Sequence, residues 1–280
     1  MRLMSAVPKL DNHGLLRPWK RGSTFELERV EPSPGLERIV ERHWIVQWDL
    51  RGREAFRQEV LPHPSINLVV EPSQALVWGV PTKRDTRLLE GTGWAIGTKF
   101  QPGAFTACTG IEAASLTDDR VPVPTAFSRP LDQHDREPRS IIAAIETLLS
   151  PWAALDDPVL DRVGQAIDSM RHLPPSASVQ DIADANHVAA RTLQRLFRHY
   201  VGVSPKWVLK RLRIHQAVER IASDPAPHWT QLALELGYYD HAHFIRDFRL
   251  VVGRSPTQYA QEAALALTTK HSRGTRNRAA

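Results

Sequence analysis

Residues 235–259 read ELGYYDHAHFIRDFRLVVGRSPTQY, and residues 178–207 read SVQDIADANHVAARTLQRLFRHYVGVSPKW. In both stretches a phenylalanine is followed five residues later by a glycine, and Ser-Pro follows the glycine at the same offset. The pairs are Phe197–Gly202 and Phe248–Gly253. Glycine is typical just past the end of a helix. The matched spacing indicates two copies of one helical unit, about fifty residues apart.

Each copy is predicted to be a short helix, a tight turn and a longer helix. In the first copy Ser178 is the expected N-cap of a helix over 179–185, and a longer helix runs over about 189–201. In the second copy the short helix is predicted over 229–236, and Asp240 is the expected cap of the longer helix. Two helices joined in this way form a helix-turn-helix, whose second helix enters the major groove of DNA.

A single connecting helix is predicted between the two copies. Residues 207–222, WVLKRLRIHQAVERIA, have enough apolar positions for it. Such a helix would hold the two motifs at a fixed separation. Motifs that read successive major-groove segments on one face of DNA lie about 34–36 Å apart. The arrangement therefore predicts a bipartite DNA-binding unit.

Basic charge is concentrated in the C-terminal part of the chain, although the net charge is only +5. Residues 1–175 have 21 Lys/Arg and 23 Asp/Glu, whereas residues 176–260 have 11 and 7, and residues 261–280 have 4 and 1. An excess of positive charge in the C-terminal part is expected of a domain that contacts nucleic acid.

The stretch 178–260 resembles the DNA-binding domain of the AraC/XylS family of bacterial transcription regulators, most closely over 235–259. The resemblance implies a domain of seven helices in which the third and the sixth read bases. By motif position the implied base contacts are Arg191, Gln194, Arg195, His241, Ala242 and Arg246. Arginine pairs well with guanine and glutamine with adenine. His241 and Arg191 differ from the residues that are frequent at these positions in the family. The resemblance therefore implies that this chain reads a different DNA sequence, not that it fails to bind DNA.

Contacts to the DNA backbone are expected from polar and positive side chains around the two longer helices. They are Thr192, Arg198, Lys206, Lys210, His243 and Arg249. Four cations of the connecting segment suit either phosphate contacts or a solvated helix face, and these are Lys206, Lys210, Arg211 and Arg213. His241 and His243 point about 200° apart on a helix, so they cannot hold one metal ion together.

The N-terminal half is predicted to be a β-rich domain over 23–137, preceded by a loosely packed arm over 1–22. Short apolar runs separated by proline and glycine are typical of a sandwich or barrel. The clearest runs are 43–50, 65–71, 74–80 and 93–100. Residues 121–136 are too rich in proline for a helix or a strand. With the helical C-terminal half, the fold class is α+β.

A helical linker is predicted over 138–175, because apolar residues recur at helical spacing over 138–150 and 156–172. Asp157-Pro158 is a typical helix start. The apolar stripes suit either of two roles, which are covering the β domain and forming a seam between two copies of the chain. The DNA-binding domain is predicted over 176–260, and a basic disordered tail over 261–280.

LPHPSINLVVEP (61–72) and GTKFQPGAF (97–105) resemble the cupin-like N-terminal domain of one branch of the AraC/XylS family. That resemblance implies a domain that senses a small molecule or mediates dimerisation. Six tryptophans in this half could line an effector cavity, but core filling is the simpler interpretation. Nearby Arg and Lys residues would suit an anionic effector, and the sequence assigns no effector-binding residue.

Catalysis and metal binding find little support in the sequence. Cys108 is the only cysteine, the histidines of the N-terminal half are scattered, and no nucleophile, P-loop or dinucleotide motif occurs. We therefore expect no enzyme activity, no cofactor and no metal, and Cys108 is expected to be a buried structural thiol. Two alternatives are a cupin-like enzyme domain tethered to a DNA-binding domain, and a helix-turn-helix module that binds protein. Exposed arginines argue against the second.

The predicted function is sequence-specific transcription regulation, controlled through the N-terminal domain by a small effector or by dimerisation. The expected partner is double-stranded promoter DNA, and RNA polymerase, a small effector and a second copy of the chain are further candidates. No run of about 18 apolar residues and no secretory signal occurs, so we expect a cytoplasmic protein without a membrane partner.

Overall fold

The computed structural model describes Leu16 and residues 24–124, 137–224 and 226–265. The strands are Glu26–Val30 (β1), Val40–Asp49 (β2), Phe56–Val60 (β3), Asn67–Glu71 (β4), Gln74–Trp78 (β5), Asp85–Leu89 (β6), Thr92–Phe100 (β7) and Arg120–Pro122 (β8). The helices are Ala104–Thr109 (α1), Pro138–Leu149 (α2), Pro158–His172 (α3), Val179–Ala185 (α4), Ala190–Leu196 (α5), Pro205–Ser223 (α6), Trp229–Glu235 (α7) and His241–Val252 (α8). A π-helical turn, Phe197–Val201, extends α5, and residues 256–265 are also helical. The α+β fold class is confirmed.

The N-terminal domain is built on a six-stranded antiparallel sheet in the order β1-β2-β7-β4-β5-β8, with β3 and β6 as a second, two-stranded sheet. The central strands β2 and β7 are the longest and pair along their whole length. Because side chains alternate along a strand, the pair Ile45–Ile96 lies on one face of the sheet and the pair Trp44–Gly97 on the other.

The face that carries Ile45 and Ile96 is covered by the helices that follow the sheet. Ile141 and Ile145 of α2 and Val163 of α3 are buried in the same apolar core as these strand residues. Fully burying one such side chain contributes about 1.5–3 kcal/mol. Of the two roles predicted for the helical linker, α2 therefore has that of covering the β domain, whereas α3 packs mainly against the first helix-turn-helix.

Two tryptophans of β2 lie on the opposite face of the sheet, each over a glycine of β7. Trp44 is the partner of Gly97, and Trp48 is the partner of Gly93. A Cβ atom on Gly97 would lie 1.9 Å from the Trp44 ring, and one on Gly93 would lie 2.2 Å from the Trp48 ring. The rings therefore occupy space that only glycine leaves open.

The structure confirms the four predicted strands as β2, β4, β5 and β7. The sequence analysis did not single out β1, β3 and β6, because charged residues interrupt their few apolar positions. The prediction for 121–136 is wrong at its start, since β8 extends to Pro122. An edge strand tolerates proline, which lacks a backbone N–H. The part of that prediction over 125–136 lies outside the described residues.

Leu16 is the one described residue of the predicted N-terminal arm. It is fully buried, and its backbone N–H donates to the Glu59 carbonyl at 3.1 Å. It packs in the apolar cluster of the second helix-turn-helix, together with Leu61 of the β domain. The expectation of a loosely packed arm is therefore wrong at Leu16, because this apolar side chain closes a core.

The helix ends of the C-terminal domain fall where the sequence predicts them. Ser178 and Asp181 form a reciprocal capping box at the start of α4, and Asp240 accepts a hydrogen bond from the His243 N–H at 2.6 Å. Gly202 and Gly253 end the two longer helices with φ of 87° and 81°. This left-handed conformation costs other residues more than it costs glycine.

We predict that Gly97→Ala destabilises the N-terminal domain by about 1–3 kcal/mol, because the new methyl group overlaps the Trp44 ring. Gly164→Ala is the control, since Gly164 lies inside α3 and a methyl group added there would meet open space. The control should stabilise the chain by about 0.5–1 kcal/mol. Denaturant unfolding measures both values, and equal effects of the two variants would contradict the packing argument.

Candidate DNA-binding interface

The two longer helices of the motifs, α5 and α8, present matching exposed residues. Positions in the two helices correspond at an offset of 51 residues, which relates Phe197 to Phe248 and Gly202 to Gly253. The same offset relates two pairs of exposed arginines, which are Arg195–Arg246 and Arg198–Arg249. Arg191, Gln194 and Ala242 are exposed as well. Each helix therefore offers a solvent-facing surface to a partner.

The opposite side of each helix is fixed by its core. Leu193 and Phe197 of the first motif are buried, and so are Phe244 and Phe248 of the second. Residues three or four positions apart lie on the same face of a helix. Because the buried positions are set by packing, the arginines cannot rotate inward without emptying the core. The orientation of the exposed surface is therefore determined by the fold.

Several of the other predicted contact residues are half-buried or lie beside a carboxylate. Thr192 and His241 are half-buried, and Lys206 is exposed at the start of α6. His243 and Lys210 both lie beside the half-buried Asp247, with N–O distances of 3.6 Å and 3.1 Å. That carboxylate pairs with the Lys210 ammonium and joins α6 to α8. The contacts with the DNA backbone predicted for His243 and Lys210 stay predictions.

Neither interpretation fits Arg211, because its side chain is buried against the N-terminal domain. Arg211 is buried, donates to the Thr82 carbonyl at 2.6 Å and lies over the Trp207 ring. Burial lowers the pKa of Arg211 to about 10. Arg213 donates to the Ala177 carbonyl at 3.1 Å. Their local sequence gave no signal of this role, since the acceptors lie far away in the chain.

The N-terminal domain holds the C-terminal end of α8 through a buried ionic cluster. Arg84 donates to the Val252 carbonyl at 3.1 Å and to the Glu59 carboxylate at 2.7 Å. Glu59 also binds Arg254, and both of these side chains are buried. Arg254 further pairs with Glu262 at 2.7 Å. Val252 is the last residue of α8, so Arg84 satisfies a carbonyl that has no partner within the helix.

The end of the first long helix is held by the N-terminal domain in a comparable way. The Thr117 hydroxyl donates to the Gly202 carbonyl at 2.7 Å. A Cβ on Gly202 would lie 2.9 Å from the Ala113 carbonyl oxygen, so the two domains are in close contact there. Both recognition helices thus end against the β domain.

A pair of histidines joins the domains between these two points. His215 of α6 is buried, and its Nε2 lies 3.1 Å from the Pro62 carbonyl. The His63 ring packs on it with a centroid distance of 4.3 Å. Burial lowers the pKa of His215 to about 4, and the positive charges of Lys99 and Arg211 add to this effect. The interface therefore favours neutral histidine.

The β domain also has an open cavity of about 680 Å³ at one end of β1, β2 and β7. Its lining includes Phe25, Trp48, Trp94 and Arg53.

The Cys108 thiol is half-buried rather than fully buried, and burial raises its pKa to about 12. Among the described residues, no three His, Cys, Asp or Glu side chains are grouped as metal ligands would be. No helix in the described ranges is long and apolar enough to cross a membrane.

Comparison with known proteins finds a match for each half of the chain. Residues 182–262 match the family model of a helix-turn-helix domain. The HTH-type transcriptional activator RhaS of Escherichia fergusonii is 33% identical over 92 residues, which are 32% of either chain. The RCS-specific HTH-type transcriptional activator RclR of Escherichia coli is 28% identical over 101 residues, 36% of this chain and 35% of RclR. These matches support the resemblance of the C-terminal domain to AraC/XylS-type transcription regulators.

This chain spans about a third of the length of these two relatives. Residues 28–122 match a different family model, described as a domain of unknown function (DUF6597). Among solved structures, ToxT from Vibrio cholerae is similar with a TM-score of 0.38 and 9% identity, over 85% of this chain and 98% of ToxT.

The seven helices implied by the AraC/XylS resemblance are present only when α3 is counted as the first. From α3 to the helical residues 256–265, the described chain has seven helical segments, of which α5 is the third and α8 the sixth. Asn186, in the turn of the first motif, donates to Ser169 of α3 at 3.0 Å. The predicted linker, 138–175, includes α3, whereas the packing of α3 joins it to both domains.

We predict that Glu59→Gln weakens the docking of α8, because Arg84 and Arg254 would lose their shared anion in a buried site. Removing one partner of a buried ion pair costs about 3–5 kcal/mol. Hydrogen exchange at the Gly253 N–H and denaturant unfolding should both show the loss. Glu90→Gln, at an exposed turn residue, is the matched control. Identical behaviour of the two variants would show that the cluster does not hold the domains together.

We predict that acid weakens the interface through His215. A histidine whose pKa is lowered to about 4 stabilises the folded state fully above its ordinary value of 6.5, and this stability is lost as the pH falls toward 4. Between pH 7.5 and 5 the free energy of unfolding should fall by about 2 kcal/mol from this group. His215→Gln should remove that part of the pH dependence, and His172→Gln, at an exposed residue, should keep it.

Proposed function

We propose that this chain is a transcription regulator that binds promoter DNA through α5 and α8 in two successive major-groove segments. The observation that carries the proposal is the repeated pair of exposed arginines, Arg195 with Arg246 and Arg198 with Arg249, on two helices of an AraC/XylS-type domain. Arginine is the residue that most often reads guanine in the major groove. The relatives RhaS and RclR are named as transcriptional activators, which supports the same class of function.

The two arginine pairs have different roles in this proposal. Arg195 and Arg246 lie nearer the N-termini of their helices, the part that contacts base edges. Arg198 and Arg249 lie one turn further along, where phosphates flank the groove, and they bind the backbone. Arg191, Gln194, His241 and Ala242 complete the base-facing surface at the helix starts. RNA polymerase is the further partner of such a regulator at a promoter.

The N-terminal domain sets how well the two helices fit DNA. It contacts the C-terminal ends of both, through Thr117 at the first and through Arg84 at the second. A change in docking would therefore alter the relative orientation of α5 and α8. An effector or a second copy of the chain controls binding only if it favours one docking arrangement over another. The cavity beside Trp48 and Trp94 is open to a small molecule and lies in this controlling domain.

We predict that Arg195→Ala and Arg246→Ala each weaken specific DNA binding by about 1–3 kcal/mol and relax the choice of one base pair. The duplex is first selected from random DNA with the full chain, and affinity and base preference are then measured for each variant. Arg162→Ala is the control, because it removes one exposed positive charge from α3 and none from α5 or α8.

Each outcome of this experiment has a definite meaning. Loss of affinity in both variants and not in the control supports two reading helices. If Arg195→Ala alone loses affinity, α8 is a packing element and the two-helix proposal is wrong. If the full chain selects no duplex at all, the proposed function itself fails.

A further inference from the structure

The repeat contains one extra residue in its second copy. The short helices correspond at an offset of 50 residues, which relates the fully buried Ala183 to the fully buried Ala233. The longer helices correspond at an offset of 51, which relates Phe197 to Phe248. The two offsets require an insertion of one residue between the helices of the second motif.

Hydrogen bonds identify the inserted residue as Tyr239. The Val188 N–H donates to the Ala183 carbonyl at 3.0 Å, and the Tyr238 N–H donates to the Ala233 carbonyl at 3.0 Å. These equivalent bonds still follow the offset of 50. The N-cap of α5 is Ala189 and the N-cap of α8 is Asp240. These two residues are 51 positions apart, so they already follow the larger offset. Tyr239 is the residue between Tyr238 and Asp240.

Tyr239 has no visible role in the fold. Its side chain is 91% exposed, the largest value among the exposed large hydrophobic side chains of the described residues. Tyr238 beside it is buried in the core of the motif at 3% exposure. Within the described part of the chain, the Tyr239 side chain makes no hydrogen bond and no aromatic contact. The ring and its hydroxyl are therefore accessible to a partner at the start of α8.

The position of Tyr239 identifies DNA as that partner. It directly precedes Asp240, the N-cap of α8, and the exposed Ala242 and Arg246 follow on the first turns of that helix. The N-terminal part of a recognition helix is the part that enters the major groove. Tyrosine hydroxyls are common donors to phosphate oxygens, which line the edges of the groove. Arg246 and Arg249, further along the same helix, are exposed positive side chains of the kind that attract a polyanion.

We propose that Tyr239 anchors the second motif on the DNA backbone, its hydroxyl donating to a phosphate oxygen beside the groove that α8 reads. The first motif has no equivalent residue, so this contact belongs to the second half-site alone. It fixes the depth and register of α8, which makes Tyr239 a positioning residue. The proposal rests on the proposed function, since it requires that α8 meets DNA.

The test uses the full chain, a duplex selected by the wild-type chain from random DNA, and two variants, Tyr239→Phe and Tyr239→Ala. Tyr239→Phe should weaken binding about ten- to hundredfold, the usual effect of losing one hydrogen bond between an uncharged and a charged group. Tyr239→Ala should weaken it at least as much. Ethylation interference should show the loss of one phosphate contact at the second half-site. The salt dependence of binding should stay unchanged, because tyrosine is neutral.

Leu250→Ala is the matched control, because Leu250 is 82% exposed near the other end of α8. All three variants should unfold like the wild-type chain, since the changed side chains are exposed. Unchanged affinity and interference for both tyrosine variants overturns the proposal. A loss with Tyr239→Ala alone also overturns it, because the hydroxyl would then not contact a phosphate. If Arg246→Ala weakens binding and both tyrosine variants do not, the proposed function stands and only this inference fails.

Discussion

The last carbonyl groups of a helix have no partner within that helix, and here the N-terminal domain supplies partners at the ends of both recognition helices. Arg84 donates to Val252 at the end of α8, and Thr117 donates to Gly202 at the end of α5. Both acceptors lie at positions where the chain leaves the helix. The orientation of the two exposed helix surfaces therefore depends on how the β domain is docked.

The arginines of the C-terminal domain divide into two sets with opposite surroundings. Arg195 and Arg246 are exposed and available to a polyanion, whereas Arg211 and Arg254 are buried and bonded to the N-terminal domain. The positive charge of residues 176–260 is thus only partly a footprint of DNA. The buried set stabilises one docking arrangement, because charges removed from water need fixed partners.

The interface between the two domains is held by polar and apolar contacts together. It combines an ionic cluster around Glu59, a neutral histidine pair, His63 and His215, and an apolar cluster that includes Leu16 and Leu61. Polar groups of this kind are stable when they are fully paired and costly when they are half paired. Partial opening is therefore unfavourable, and an effector that changes the docking would change the fit of both helices together.

The sequence by itself determined the features that local chemistry controls. The caps Ser178 and Asp240, the glycines that end the long helices and the alternation of buried and exposed residues act over four or five positions, so the motifs and their exposed arginines could be read directly. The tertiary structure decided which arginines face the β domain, which tryptophans lie over glycine, and where Leu16 is buried. Those roles depend on partners far apart in the chain, such as Glu59 and Arg254, which are 195 residues apart. Residue type and local spacing do not encode such a pairing, because it exists only when the two domains are packed together.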